Sequence, residues 1–440
     1  MSKNTTVTAG SLSQRDTITG MIIIAFMFFM FGFTSWINAI LIPYFKISFE
    51  LSHVQSYLVT FAFYISYLIF SVPASFLLKK VGFKKGMMIG FWVMSTGAFL
   101  FVPAAITMTY ELFLLGLFSI GAGLALLQSA ANPYITILGP KERAAQRFSI
   151  MGICNKGAGI LAPLLFAAVI FKATDSAMLD NITSMSQAEK DIVFRELIQR
   201  VIVPYACVGT FLFLIGLFIR YSPLPEIDTE HESEEVALAN SSKTSITQFP
   251  HLMLGAFAIF LHVGTQVISI DTVISYAGTM NLNLIEAKVF PSYTLTAQIC
   301  AYFIGIIFIP KFFSQLTALR VSTILGIFLT LLIIYAKGQV SFLGHTNDIS
   351  LWFVVMLGLA NSLVWAGIWP LALDGLGRFT KIGASLMVMG LAGNAILPMV
   401  YGYFVDIFSA RDAYWVLFPC YMYLVFYAFR GYRLRSWTRK

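Results

Sequence analysis

The sequence predicts an all-α membrane protein of twelve transmembrane helices arranged as two six-helix bundles. Three observations carry that expectation: long continuous apolar runs, basic residues collected in alternate loops, and a pattern of Gly, Pro and Asn that recurs in the two halves.

Of 440 residues, 58% are hydrophobic and 11% charged. With a mean hydropathy of +0.79, such a chain cannot clothe itself in a water-facing surface, so lipid is its expected solvent. The formal charge of +8 does not point to nucleic acid, because the bases lie in short loops between apolar runs rather than on one face interleaved with aromatics. Cys154, Cys207, Cys300 and Cys420 all fall in apolar segments without metal-type or redox spacing and are read as small packing residues, so no metal site is expected. Residues 1–19 lead into the first apolar run without a small-residue cleavage site, so that run is read as a retained helix. Asn4, Asn181 and Asn240 match the glycosylation pattern, which carries no weight without a known host.

Crossing the hydrocarbon layer takes about 20 apolar residues, and continuous runs fit helices where alternation would fit a barrel. Spans are expected near 20–45, 52–78, 84–106, 109–138, 147–171, 198–220, 250–278, 284–310, 318–336, 348–376, 382–405 and 411–430. Lys79, Lys80, Lys84 and Lys85 follow the second span, Lys141, Arg143 and Arg147 the fourth, and Arg378 and Lys381 the tenth. Arg430, Arg433, Arg435, Arg439 and Lys440 close the chain. All are even-numbered connections or the terminus, which predicts two cytoplasmic ends. The polar, Glu- and Ser-rich stretch 221–248 reads as a linker. It divides the chain into an N-terminal segment 1–19, a bundle 20–220, the linker 221–248, a bundle 249–432 and a tail 433–440.

The halves echo one another. Asn132-Pro133 precedes Gly139, a basic turn, and then Met151-Gly152, Asn155 and Pro163; Trp369-Pro370 precedes Gly375, a basic turn, and then Met389-Gly390, Asn394 and Pro398. A duplicated pair of spans leaves that trace.

The segments Phe31–Pro43, Gln128–Pro140, Phe148–Gly159 and Trp369–Lys381 resemble the fucose/glucose/galactose permease family of the major facilitator superfamily, and the likeness runs through nearly the whole chain. Within that family, Asn155-Lys156-Gly157-Ala158-Gly159 is most similar to the glucose/galactose and N-acetylglucosamine permeases. The resemblance implies the major facilitator fold and import of a hexose across a cell inner membrane by two six-helix bundles rocking about a central site. Fucose or N-acetylglucosamine stands as the alternative substrate, and an uncoupled uniporter as the alternative mode. Fucose symporters of the family carry an aspartate in the first helix and a glutamate in the fourth; Ala39 and Gln128 stand at those positions, so neither acid transfers. Lys79 likewise replaces the aspartate of the superfamily's loop after the second helix, while Gly82 and Lys84 remain.

A sugar site needs paired donors and acceptors at mid-membrane depth and a flat apolar face. In this class of carrier the first, fourth, seventh and tenth spans line the cavity. Their candidates are Trp36, Asn38, Gln128, Asn132, Gln266, Asn361, Trp365 and Trp369, joined by Asn155, Asn394 and Gln298 from neighbouring spans. Each amide serves equally as a helix-to-helix hydrogen bond, worth about 0.6 kcal/mol. Trp352 and Trp415 are read as membrane-interface residues. A charge in mid-span costs about 2.5–3.5 kcal/mol, which singles out Asp271 as an ion-responsive group and Lys156 as its partner. His262 is a proton-carrier candidate by residue type, though a lone histidine in a span is more often a packing residue. Asp374 and Arg378, one turn apart, are read as a gate or loop anchor. No cofactor is expected beyond a coupling ion, Na⁺ or H⁺, and the expected partners are the sugar and the bilayer, with the protein a monomer. Intramembrane enzyme motifs are missing, and duplicated halves favour a carrier over a channel.

Overall fold

The computed structural model describes residues 6–7, 14–51, 53–170, 185–224, 226–227, 238, 240–241, 243–280, 282, 287 and 289–437. Residues 225, 228–237, 239 and 242 of the 221–248 linker, and the acidic residues Asp175 and Asp180, lie outside them.

Among the described residues, nine stretches are long and apolar enough to cross a membrane. One of these, Leu58–Thr107, is 50 residues long, about twice what one crossing needs. It belongs to a helical stretch His53–Thr107 that turns at Gly82, where φ is 81° and ψ 175°, a conformation a side chain would strain. The expected second and third spans are therefore joined by a bent backbone rather than an open loop. Ala144–Ile170 and the run from the turn Asp412–Val416 into Leu417–Phe429 complete the twelve.

The remaining spans follow the expected order. The first is Gln14–Ser48, the fourth Tyr110–Ile137, the fifth Ala144–Ile170 and the sixth Ile202–Tyr221. The seventh is Pro250–Asp271, continued past a break at Thr272 by Val273–Gly278. The eighth is Phe290–Phe308, the ninth Gln315–Tyr335 and the tenth Ile349–Leu373. The eleventh joins Thr380–Met389 to Gly393–Ile407 through a tight turn at Gly390–Ala392. The apolar faces of Phe211, Phe213 and Phe218 in the sixth span and Phe303 and Ile307 in the eighth are exposed, as lipid-facing surface is.

Two pieces depart from the expected loops. Gln187–Gln199 is a separate amphipathic helix, started by a capping box of Ser186 and Glu189 and seated on Phe194, Leu197 and Ile198; it is too polar to belong to the sixth span. Gln339–Phe342 pairs antiparallel with His345–Asp348. This hairpin places Phe342 edge-on against Trp352 at 4.8 Å, so Trp352 is 8% exposed rather than facing an interface, whereas Trp415 is 39% exposed. Cys207 and Cys300 are likewise exposed rather than packed.

The duplication survives in the packing. A Cβ on Gly32 of the first span would fall 2.1 Å from the Asn155 carbonyl oxygen of the fifth, and one on Gly393 of the eleventh 1.9 Å from that of Phe260 in the seventh. Gly121 of the fourth span meets the Phe63 carbonyl as Gly358 of the tenth meets that of Thr294, both at 2.3 Å. Each half thus draws the same helix pairs to backbone contact, as small residues allow in membranes.

Arg147 closes the turn between the fourth and fifth spans. The residue is 6% exposed, and its guanidinium donates to the carbonyls of Ile135 at 2.8 Å and Thr136 at 2.9 Å, oxygens a helix end leaves without partners, and to that of Pro140 in the turn beyond at 2.9 Å. Arg147→Met is expected to lower stability by about 2 kcal/mol, read as earlier thermal unfolding of the purified protein. Arg147→Lys is expected to recover only part, since an ammonium cannot span three carbonyls.

The halves lie against each other toward the basic face. Gln146 Nε2 donates to the Ile306 carbonyl at 2.7 Å, and the Ala145 amide to Gln315 Oε1 at 3.1 Å. The eleventh span packs on the second-and-third pair, with Lys381 over the Phe83 ring at 5.6 Å.

Candidate functional site

Above that closed face, a cavity of about 130 Å³ lies between the two halves. Its polar wall is built from half-buried amides on four spans: Gln128, Asn155, Gln266 and Asn394. Trp36, Tyr64, Tyr67 and Trp365 supply flat aromatic surface. Few of these amides are spent on one another. Gln128 reaches the Tyr67 hydroxyl at 3.4 Å, Asn155 Nδ2 donates to the Phe28 carbonyl at 3.2 Å, and Asn394 Oδ1 is buried without a partner.

Lys156 enters this wall 7% exposed. Its ammonium donates to Gln266 Oε1 at 3.3 Å and sits 5.1 Å over the Trp36 ring, a cation–π arrangement that offsets part of its desolvation. Asp271 is placed differently from the expectation of a deep acid. It ends the first segment of the seventh helix and is exposed, outside the cavity lining but within electrostatic reach of Lys156 and Tyr64.

The other candidates divide. Asn361 is not a lining residue: Tyr421 and Thr265 donate to its Oδ1 at 2.8 and 3.1 Å, and its Nδ2 reaches Ser269 Oγ at 3.4 Å, a network that ties three spans together. Asn132 folds back on the Gln128 carbonyl at 3.0 Å. Gln298 stands behind Gln266, 3.5 Å away, with its Nε2 unpartnered. Trp369 is fully buried beneath Trp365, ring centroids 5.4 Å apart. The Asn38 side chain lies outside the described residues. Asp374 and Arg378 lie at the basic face: Arg435 donates to Asp374 at 2.8 Å, and Arg378 to the Lys243 carbonyl at 2.8 Å.

Tyr64, Tyr67, His262 and Tyr302 also line the cavity, and of these four the sequence reading had weighed only His262, as a proton carrier. Three of them come from the second and eighth spans, which that reading passed over, although hydroxyl-bearing aromatics three residues apart in an apolar run were a usable signal. Tyr302 forms the floor. Its ring occupies the space that a side chain on Gly152 of the opposite half would fill, with ring carbons 2.4 to 2.7 Å from an ideal Cβ. Gly152→Ala is therefore expected to prise the floor apart and slow transport several-fold, and Tyr302→Ala in the same background to restore it. Equal rates for wild type and Gly152→Ala would show that the floor need not close this tightly.

Comparison with known proteins adds to this geometry. The family model for the Major Facilitator Superfamily matches residues 24–398. A glucose/galactose transporter of Brucella abortus biovar 1 (strain 9-941) is 31% identical over 426 residues, 95% of either chain. The L-fucose-proton symporter of Escherichia coli (strain K12) is 27% identical, covering 97% of this chain and 95% of that one. Among solved structures, the Major Facilitator Superfamily transporter FucP in the outward conformation superposes with a TM-score of 0.80 at 26% identity, covering 96% of this chain and all of that one.

Proposed function

The chain belongs to the Major Facilitator Superfamily, and from that premise we propose that it imports a hexose of the glucose/galactose type by alternating access, coupled to a cation, Na⁺ or H⁺. The observation that carries the reading is the cavity itself: uncharged amides from both halves face one space, with aromatic rings between them. Hydroxyls need both donors and acceptors, which a carboxamide supplies together, and the C–H face of a pyranose needs a ring to lie on. An ordered water takes about 10–15 Å³ of such space, so about 130 Å³ suits a single sugar ring better than an oligosaccharide.

The multi-pass fold and its transporter relatives make this a carrier rather than an enzyme. We place it in the inner membrane as a monomer with both termini cytoplasmic. The support is the collection of Lys and Arg on one face, and on that orientation the closed floor at Tyr302 and Gly152 leaves the cavity reachable from outside. The glucose/galactose relative's higher identity favours that substrate type over fucose.

Uptake of labelled glucose, galactose, fucose, mannose and N-acetylglucosamine into sealed vesicles, with a sodium gradient, a proton gradient or neither, tests the proposal. Saturable accumulation of a hexose that one gradient drives is the expected result. No saturable uptake of any sugar would end the sugar reading; uptake indifferent to both gradients would end the coupling.

A further inference from the structure

We infer that His262 is a specificity-determining residue, which reads a hydroxyl of the transported sugar at the middle of the cavity. The inference rests on the reading of that cavity as a monosaccharide site. His262 lies on the seventh span, about 18 Å along the helix from Pro250 at 1.5 Å per residue, close to half the thickness of the hydrocarbon layer. It is fully buried and lines the cavity one helical turn before Gln266, on the same face. Both of its ring nitrogens are buried without a hydrogen-bond partner.

That last fact argues against simple packing. A buried histidine kept for its shape would have its polar atoms satisfied, because a buried donor or acceptor left unpaired forfeits its hydration and gains nothing. The backbone around it is satisfied, since Thr265 Oγ1 donates to the His262 carbonyl at 2.7 Å, so the ring alone is left open. A neutral imidazole offers one donor and one acceptor, and a hydroxyl can answer either, so adjacent sugar hydroxyls fit both tautomers. Asn394 Oδ1, also unpartnered on the eleventh span, adds a second acceptor from the same half, and Lys156 a donor from the other. Phenylalanine would fill the same volume without these open atoms.

The test is a cycle between protein and ligand. Wild type and His262→Phe are compared in competition binding with D-glucose and its 2-, 3-, 4- and 6-deoxy analogues. In wild type, one deoxy analogue is expected to bind about 10-fold more weakly than glucose, the size of a single hydrogen bond. In His262→Phe that analogue and glucose should bind within about twofold of each other, while the remaining analogues keep their wild-type ratios, since only the pair under test is uncoupled. Should phenylalanine prevent insertion, His262→Leu serves the same cycle. An even loss across all sugars, or wild-type ratios preserved in the variant, would overturn the assignment and leave the transport reading standing. Should wild type bind D-galactose in place of D-glucose, the deoxygalactoses serve the same cycle; failure to bind either hexose would remove both readings.

Discussion

Lys156→Gln and Asp271→Asn are each expected to abolish gradient-driven accumulation; Asp271→Asn, outside the cavity lining, should leave exchange of substrate across the membrane in place, while Lys156→Gln, in the lining, should also slow that exchange. One cation moving down about 100 mV supplies about 2.3 kcal/mol, or some 40-fold accumulation, and this is the factor expected to disappear. The two groups sit on opposite halves, Lys156 on the fifth span and Asp271 at the break in the seventh. In this conformation the ammonium is paired with an amide and an aromatic ring rather than with a carboxylate. A cation arriving at Asp271 would change what Lys156 experiences, and removing either charge would sever that link; Asp271→Asn does so without touching the amide wall, whereas Lys156→Gln also takes a donor from Gln266. Counterflow measured beside accumulation separates the two effects. Full accumulation in both variants would show that the charges are only a structural pair.

Gly32→Val is expected to cost about 3 kcal/mol of stability or more and to leave little folded protein in the membrane. The contact it violates is with backbone: the Asn155 carbonyl oxygen at 2.1 Å, its carbon at 2.9 Å and its Cα at 3.0 Å. No rotamer change relieves such a clash, so the first and fifth spans would have to separate, a larger disturbance than the about 1–3 kcal/mol typical of an overfilled core. Because the same residue presents the Asn155 amide to the cavity, substrate affinity should fall along with stability. Gly157 provides the control. A Cβ there meets nothing within 4 Å, and Gly157→Ala is expected to be neutral or to stabilise by about 0.5–1 kcal/mol through reduced chain entropy. Thermal unfolding in detergent compares the two, and equal melting temperatures would mean that the close approach at Gly32 is dispensable.

Span number pointed to Gln128 and Gln266, and Asn155 and Asn394 joined them from neighbouring spans, because an amide in an apolar helix is conspicuous wherever it lies. It could not separate Asn361 from them. All five are the same kind of residue in the same kind of run, and only the positions of Thr265, Ser269 and Tyr421 reveal that Asn361 is already satisfied. Asp271 was found as a charge and misplaced in depth, since the break at Thr272 is not marked by Gly or Pro. Tyr64, Tyr67 and Tyr302 were missed because tyrosine is common in membrane helices; the spacing of Tyr64 and Tyr67 puts both on one helix face, but nothing local says which way that face turns.

The sequence by itself determined the solvent, the number of spans and the duplication of the halves. Each follows from properties that accumulate along the chain: apolar length, the placement of charge and the spacing of small residues. Tertiary structure alone decided which polar atoms remain unpaired and face a common space. Hydrogen bonding between helices is settled by partners a hundred residues apart, and two identical amides become a strut or a binding group according to what stands opposite each of them.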